Sequence, residues 1–322
     1  MIFNRSPYWS LRDAGLGMVV VFSLCLPQVA CGATSDAPLQ TAHALIDGHK
    51  LSEARALLDN YLQANPHCAE AHFLLGYVLF RENMAKQSLA EFTAGAQIVR
   101  PSTADLKIIA ADYVLLGDFD DADKWLTSVV MATPQDADAW YLLGRTKYNE
   151  NRFAEAIDSF SHAVALRPHD VKAEDNLGLS YEGLNEMEKA KAAFQTAIAW
   201  QADSGIQDAQ PLLNLGSLLL RESRGAAAVS YLIRAAAAAP GNAKVHEELS
   251  QAYLAENELP KAQTELEIAI KLAPNASALH YKLGQILHRL GYVADSQREF
   301  KICAELLNSH SSTDIPNPPS PQ

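Results

Sequence analysis

The stretch WYLLGRTKYNENRFAEAIDSFSHAVALRP, Trp140 to Pro168, holds two apolar patterns at helical spacing, separated by the polar segment NENRF. This spacing predicts one helix over residues 137–149 and a second over residues 154–166. Pro168 ends the second helix because proline lacks an amide hydrogen and restricts the residue before it. Neither helix can bury its apolar face alone, so the pair must stack on similar pairs.

Related fragments recur along the chain at a fixed period. Five prolines stand 68, 34, 72 and 34 residues apart: Pro66, Pro134, Pro168, Pro240 and Pro274. Six alanines, at intervals of 68, 34, 34, 38 and 34, repeat the period: Ala54, Ala122, Ala156, Ala190, Ala228 and Ala262. Both series indicate a 34-residue repeat with one four-residue insertion, which is the signature of a repeat architecture.

Within the quoted unit, large, small and proline residues follow a set order: Trp140, Leu143, Gly144, Ala156, Phe160, Ala163 and Pro168. This order resembles the tetratricopeptide repeat (TPR) family, and the resemblance covers about residues 35–310 in about eight units. It implies an all-α fold, a right-handed superhelical solenoid of helix–turn–helix pairs. The insertion, near residues 203–208, is either an extended second helix or a loop between units.

The two ends of the chain differ from the repeats. Arg5 and Arg12 precede an apolar run at residues 15–30 that suits the core of a signal peptide. We predict that residues 1–33 are a signal peptide, with an uncleaved anchoring helix as the alternative. The segment around Cys31 also resembles a bacterial lipobox, which would make Cys31 the lipidated N-terminus of a lipoprotein. The protein is therefore expected to be exported and periplasmic or envelope-associated, and its proline-rich tail, residues 311–322, is expected to be disordered.

Composition and motifs limit the chemistry. The net charge of −12 argues against a nucleic-acid partner, because phosphate contacts need a basic face. The sequence contains no glycine-rich phosphate loop, no GxSxG and no HExxH, and the repeats occupy nearly all of the expected mature chain. We therefore predict a protein that is not an enzyme and has no cofactor, no metal and no membrane contact beyond a lipid at Cys31.

Several residues with metal-binding or redox chemistry have simpler interpretations. The segment HCAEAH, residues 67–72, holds potential metal ligands but spans a turn, so a metal site is disfavoured. His72, His246 and His280 stand where the repeat has a large side chain, which favours packing. Cys303 replaces a packing alanine and is expected to be a buried thiol, separated by the stacking from Cys68 in the first part of the array.

The resemblance implies that the first helix of each pair lines the concave face. Counted from Ala137 in the quoted unit, the inward positions are the second, fifth, sixth, ninth, twelfth and thirteenth. In the N-terminal half these positions carry aromatic and cationic side chains: Phe73, Tyr77, Phe80, Arg81, Lys107, Tyr141, Arg145, Tyr148 and Asn149. Such residues are enriched in binding hot spots, so we predict a partner-binding face here. The alternative is a groove lining with no bound partner.

Two asparagines in the middle of the chain, Asn176 and Asn214, share one inward position in consecutive units. Some superhelical TPR proteins use stacked asparagines to bind a peptide backbone, since an amide both donates and accepts hydrogen bonds. The alternative is local hydrogen bonding between helices. The Lys, Asn, Asn, Lys and Arg set with which other members hold a peptide C-terminus does not appear in order.

The sequence thus predicts a protein–protein interaction scaffold of the cell envelope, which binds a protein or peptide segment of unknown identity in its concave groove. One alternative is a periplasmic carbohydrate-handling or enzyme-associated accessory protein, with the aromatic residues stacking on sugars. Another is a structural spacer without a ligand.

Overall fold

A computed structural model describes residues 37–204 and 208–311, and this part of the chain forms sixteen α-helices and no strand. The first helices of the eight pairs are α1 (Ala37–Asp47), α3 (Ala69–Arg81), α5 (Thr103–Leu116), α7 (Ala137–Asn149), α9 (Val171–Gly183), α11 (Ala209–Arg221), α13 (Ala243–Ala255) and α15 (Ser277–Arg289). The second helices are α2 (Leu51–Ala64), α4 (Ala85–Ala96), α6 (Phe119–Ala132), α8 (Phe153–Leu166), α10 (Met187–Ser204), α12 (Gly225–Ala238), α14 (Leu259–Leu272) and α16 (Val293–Ser311).

Each first helix packs on the second helix of its own pair, and each second helix packs on the first helix of the next pair. We number the pairs units one to eight. The predicted helix over residues 137–149 has the observed bounds, and the second helix of that unit begins one residue earlier than predicted, at Phe153. The predicted all-α solenoid is therefore confirmed.

The turn inside every unit has a residue with positive φ at the same place, the fifteenth position of the repeat. Glycine occupies it in units three and eight, and other residues, mostly asparagine, occupy it elsewhere: His49, Asn83, Gly117, Asn151, Asn185, Ser223, Asn257 and Gly291. Glycine and asparagine tolerate the left-handed region better than other residues. The NENRF segment is therefore a turn with a defined backbone, and its left-handed residue recurs with the period of the prolines.

A close contact between glycine and phenylalanine holds the two helices of a unit together. A Cβ added to Gly144 would lie 2.7 Å from the Phe160 ring, which is fully buried. The same pair, sixteen residues apart, recurs in three further units: Gly76 with Phe92, Gly178 with Phe194 and Gly284 with Phe300. The glycine lets the two helices approach closely, and the phenylalanine ring fills the volume that a side chain at the glycine would occupy.

The four-residue insertion extends a helix. α10 has 18 residues, whereas α8 and α12 on either side of it have 14. The Asp208 amide, at the start of α11, donates to Gln201 Oε1 at 3.1 Å. Of the two alternatives, the structure has the extended second helix as far as Ser204, and residues 205–207 lie outside the described part.

The predicted signal peptide, Cys31 and nearly all of the predicted tail also lie outside the described residues. α16 runs to Ser311, one residue past the predicted end of the array. In the described part no helix is both long and apolar enough to cross a membrane, and no cluster of His, Cys, Asp or Glu could hold a metal ion. Cys303 is buried and free, as predicted for a packing thiol.

Candidate partner-binding groove

One cleft lies between the first helices α3, α5 and α7, and we call it the cation cleft. It has a volume of about 490 Å³ and is bordered by three cations and two amides: Arg81, Lys107, Arg145, Asn83 and Asn149. Aliphatic side chains, including Val114, Leu115 and Leu142, complete the lining together with Phe80. Five of the predicted groove residues therefore line a single cavity, although they come from three units.

The two arginines of the cation cleft have tyrosine neighbours in place of acidic ones. Arg81 donates to the Tyr77 hydroxyl at 2.7 Å and lies over the ring, 5.7 Å from its centroid. Arg145 contacts the Tyr141 hydroxyl; burial raises the pKa of this phenol, and the Arg145 charge opposes that rise. Within the described part of the chain, neither arginine lies within ion-pair distance of a carboxylate, and no Asp or Glu lines the cleft.

Lys107 differs from the arginines because it is already paired. Its Nζ donates to Asp136 Oδ2 at 2.7 Å, and Asp136 also caps α7 by accepting from the Ala139 amide at 3.0 Å. Burial raises the pKa of Asp136, but the contacts with Lys107 and with the backbone outweigh burial and lower it overall. Lys107 is therefore held at the cleft with its charge balanced, and the two arginines supply the unbalanced charge.

Three of the five aromatic residues predicted for this face pack on a phenylalanine of their own unit. Phe73 lies 6.1 Å from Phe92 between ring centroids, and Tyr141 lies 5.8 Å from Phe160. Tyr281 makes the same contact with Phe300 in unit eight, at 5.6 Å, and Tyr148 packs on Phe153 at 5.4 Å. Because Phe73, Tyr141 and Tyr148 make these contacts, part of each ring is unavailable to a ligand, which weakens the prediction of an aromatic stacking surface.

A second cleft of about 590 Å³ adjoins the first, between α1, α3 and α5. Phe73 and Tyr77 line it with His43, Ile98 and the half-exposed Val99. The predicted residues of unit two thus divide between two neighbouring clefts. Tyr141, Tyr148, Asn176 and Asn214 line neither of them.

The two asparagines of the predicted ladder have partners within the chain. Asn214 Nδ2 donates to both carboxylate oxygens of Asp175 at 2.9 and 3.0 Å, and Gln210 donates to Asn214 Oδ1 at 2.9 Å. Asn176 Nδ2 donates to the Lys172 carbonyl at 2.7 Å. The contact of Asn214 with Asp175 matches the alternative of hydrogen bonding between helices, whereas the Asn176 bond lies within α9. Peptide binding by these amides stays a prediction.

Asp175 marks the point where the groove face becomes acidic. Its side chain is nearly fully buried, and burial raises its pKa to about 7 against the opposing effect of the Asn214 hydrogen bond. Beyond Asp175 three cations of the groove face are paired: Lys282 with Glu247, Arg221 with Glu182 at 2.6 Å, and Lys244 with Glu248 at 2.9 Å. Arg289 differs from them and donates to Asn257 Oδ1 at 3.0 Å. The C-terminal half of the groove face is therefore largely neutralised by its own side chains.

Sequence analysis missed a polar contact that recurs in three units. The Nδ1 atoms of His72, His246 and His280 lie 2.7 Å from glutamates nineteen residues later, which are Glu91, Glu265 and Glu299. Their Nε2 atoms lie 3.0–3.1 Å from the proline carbonyls six residues earlier. Trp140 Nε1 donates to the Pro134 carbonyl in the same way, at 2.9 Å. The predicted structural role of these histidines is confirmed, and the constant spacing of His and Glu was a readable signal.

Stacked helix pairs with a continuous face of first helices define a helical-repeat scaffold, a class that binds partners on an extended surface. Models of the tetratricopeptide repeat match residues 39–99, 109–171, 175–204 and 219–295, which is well over half of the chain. The chain belongs to the tetratricopeptide repeat family. Members of this family are generally non-enzymatic scaffolds for protein–protein interaction.

Solved structures with the same fold share little sequence with this chain. A tetratricopeptide repeat protein from Parabacteroides merdae has a TM-score of 0.62 and 16% identity, covering 78% of this chain and 97% of that one. The Cut9–Hcn1 hetero-tetramer of the APC/C has a TM-score of 0.57 and 16% identity, covering 85% of this chain and 53% of that one. At this identity the likeness shows the fold alone.

Curated relatives match only in part. The peroxisomal targeting signal receptor of Candida albicans is 27% identical over 106 residues, which is 33% of this chain and 18% of the receptor. The protein O-mannosyl-transferase TMTC3 of Mus musculus is 30% identical over 70 residues, 22% of this chain and 8% of that protein. The chain thus spans less than a fifth of the length of these relatives.

Proposed function

We propose that this TPR protein is a scaffold of the cell envelope that binds a segment of a partner protein on the groove face of units two to four. The cation cleft carries this proposal, because it combines an aliphatic lining with two arginines that have no acidic partner among the described residues. A cavity of this size lies within the usual range of roughly 300–1,000 Å³ for ligand sites. Arginine is also among the residues enriched in binding hot spots.

Photo-crosslinking in cells that produce the protein tests the location of the site. Leu115 lines the cation cleft and is 54% exposed, so a photoreactive residue there should capture the partner. Ile233 is 47% exposed on α12, a second helix, and is the matched control. Mass spectrometry should identify a protein adduct at position 115 that is missing at position 233. The same adducts at both positions, or none at position 115, would contradict groove binding.

The predicted signal peptide is the basis for proposing that the protein is located in the cell envelope. Arg5, Arg12 and the apolar run at residues 15–30 support export, and the lipobox-like segment supports a lipid anchor at Cys31. Intact-mass analysis of the protein from a bacterial host should show a mature N-terminus between Cys31 and Thr34, with added acyl mass if Cys31 is lipidated. A mature protein that still begins at Met1 would refute both versions.

A further inference from the structure

The charge of the cation cleft indicates which kind of partner segment it prefers. This inference rests on the function proposed above. We propose that the cation cleft binds a short acidic stretch within a partner chain, whose side-chain carboxylates pair with Arg81 and Arg145 while neighbouring aliphatic side chains fill the apolar lining. The partner is thus defined by chemistry, as a segment that combines Asp or Glu with Leu, Ile or Val.

The first argument is charge. The chain has a net charge of −12, yet the lining of the cation cleft contains three cations and no carboxylate. Lys107 has an acidic partner, Asp136, whereas the two arginines have none within residues 37–204 and 208–311. A partner carboxylate would therefore meet two guanidinium groups without displacing an existing ion pair in the described part of the chain. Complementary charge of this kind increases specificity and the rate of association.

The second argument is preorganisation. The Tyr77 hydroxyl accepts a hydrogen bond from Arg81 one helical turn away. Tyr141 likewise precedes Arg145 by one turn, and the Arg145 charge lies close enough to oppose the rise in the pKa of that phenol. A neutral phenol restrains the arginine side chain without cancelling its charge. Because a guanidinium has five N–H donors, each arginine keeps donors for a carboxylate. Restraining a side chain before binding reduces the conformational entropy lost on association.

The third argument is the apolar lining, which tells against a purely electrostatic ligand. Val114, Leu115 and Leu142 border the cleft beside the arginines, and Leu115 is 54% exposed. Covering this lining would remove apolar surface from water, and a segment containing Leu, Ile or Val would do so. A hydrophilic polyanion would leave the lining in contact with water.

The length of the acidic stretch is limited by the next unit. Beyond Arg145 the groove face carries Asp175, Glu182 and Glu247, the last two already paired with Arg221 and Lys282. A long acidic tract that continued toward the C-terminal half would gain little from Arg221 and Lys282, because both already have acidic partners within the chain. The acidic residues of the partner should therefore be confined to the portion over α3, α5 and α7.

Fluorescence anisotropy with the full chain tests the proposal. The probe is a short labelled peptide of alternating Glu and Leu, acetylated and amidated at its ends, and its control has Gln in place of every Glu. We expect the Glu peptide to bind at least about tenfold more tightly at low salt, which corresponds to about 1.4 kcal/mol. Equal affinity of the two peptides, or no binding of either, would overturn the inference.

Paired variants identify the residues. R81Q/R145Q should abolish the preference for the Glu peptide, whereas R221Q/R289Q removes the same charge from the C-terminal half and should leave it unchanged. Arg221 and Arg289 suit this control because both stand at the repeat position of Arg81. Circular dichroism should show that both double variants are folded. If both lose the preference equally, net charge and not the cleft selects the peptide, and the assignment is wrong.

A further arm distinguishes an internal stretch from a chain end. A Gln–Leu peptide with a free C-terminal carboxylate should bind no better than its amidated form. If it binds like the Glu peptide, the cleft takes a terminal carboxylate and the internal-segment inference fails. The crosslink at position 115 is independent of charge selection. A partner captured there that lacks acidic residues would overturn this inference while supporting the proposed function.

Discussion

Arg81 in the N-terminal half and Arg221 in the C-terminal half occupy the same position of the repeat, yet their guanidinium groups have different partners. Arg81 donates to the Tyr77 hydroxyl, whereas Arg221 is paired with Glu182 at 2.6 Å. The packing between the two helices of a unit is nevertheless the same in both halves. Gly144 contacts Phe160 in the N-terminal half, and Gly216 contacts Leu232 at the equivalent positions of the C-terminal half. The comparison shows that the repeat conserves the contacts inside a unit and leaves the groove face free to vary.

The largest expected effect tests whether the two halves share one packing frame. Phe160 and Leu232 occupy equivalent, fully buried positions. Phe160→Ala should cost about 3–5 kcal/mol and Leu232→Ala about 2–5 kcal/mol, because each leaves a cavity that the neighbouring helices cannot fill. Urea denaturation followed by circular dichroism measures both. A negligible cost in either half would show that its packing differs from that described here.

A smaller effect sharpens the role of the glycine. Gly144→Ala places a methyl group against the Phe160 ring and should destabilise by about 1–3 kcal/mol through overpacking. Phe160→Leu in the same chain should recover part of that loss, because units without the glycine have leucine in place of the phenylalanine. In those units Leu126 and Leu266 take the Phe160 position, and Ala110 and Ser250 take the Gly144 position. The four urea midpoints form a double-mutant cycle. Additive effects of the two substitutions would show that the side chains do not interact.

The pH dependence of stability tests the boundary between the halves. The folded-state pKa of Asp175 is about 7, raised by burial above its ordinary value of 3.8. The folded state therefore favours the protonated carboxyl, and this contribution is complete below about pH 4 and is lost as the pH rises through about 7. Asp175→Asn removes this titration. The urea midpoint of the variant, relative to that of the wild type at the same pH, should therefore be higher at pH 8 than at pH 5.

Asp112 is the internal control for that measurement. It is fully buried between units two and three, and burial raises its pKa to about 6 against the opposing effect of the Ser88 hydrogen bond. Its contribution has the same sign and remains in the Asp175→Asn variant, so the difference between wild type and variant isolates Asp175. An unchanged pH profile in that variant would mean that Asp175 is ionised in the folded protein throughout this range.

The smallest expected effect concerns the arginines themselves. A double-mutant cycle of R221Q and E182Q should give a coupling energy of about 0.2–1 kcal/mol, the usual range for an exposed pair. R81Q should change the free energy of unfolding by no more than about 0.5 kcal/mol, because Arg81 is not paired with an acid in the described part of the chain. Urea denaturation measures all four variants. A larger loss for R81Q would reveal a structural role for Arg81 and contradict the contrast between the halves.

The frame of the molecule could be predicted from the amino-acid sequence alone. The period of the prolines and alanines gives the helix pairs, and Gly144 with Phe160 gives the contact inside a unit. Two further signals were present in the sequence but not recognised: the left-handed turn residue exemplified by Asn151, and the nineteen-residue spacing of His246 and Glu265. These features recur because the two helices of every unit make the same contacts, so the residues that make them repeat with the 34-residue period of the sequence.

The tertiary structure decided which polar groove residues are available to a partner and which are already bonded to other side chains of the same chain. The sequence places Arg81 and Arg221 at one repeat position, and Asn176 and Asn214 at another, without distinguishing them. The ion pair of Arg221 with Glu182 and the bonds of Asn214 to Asp175 join residues 39 positions apart in different units. Such contacts depend on how neighbouring helices stack and which way long side chains extend, and no periodicity within a single unit encodes that.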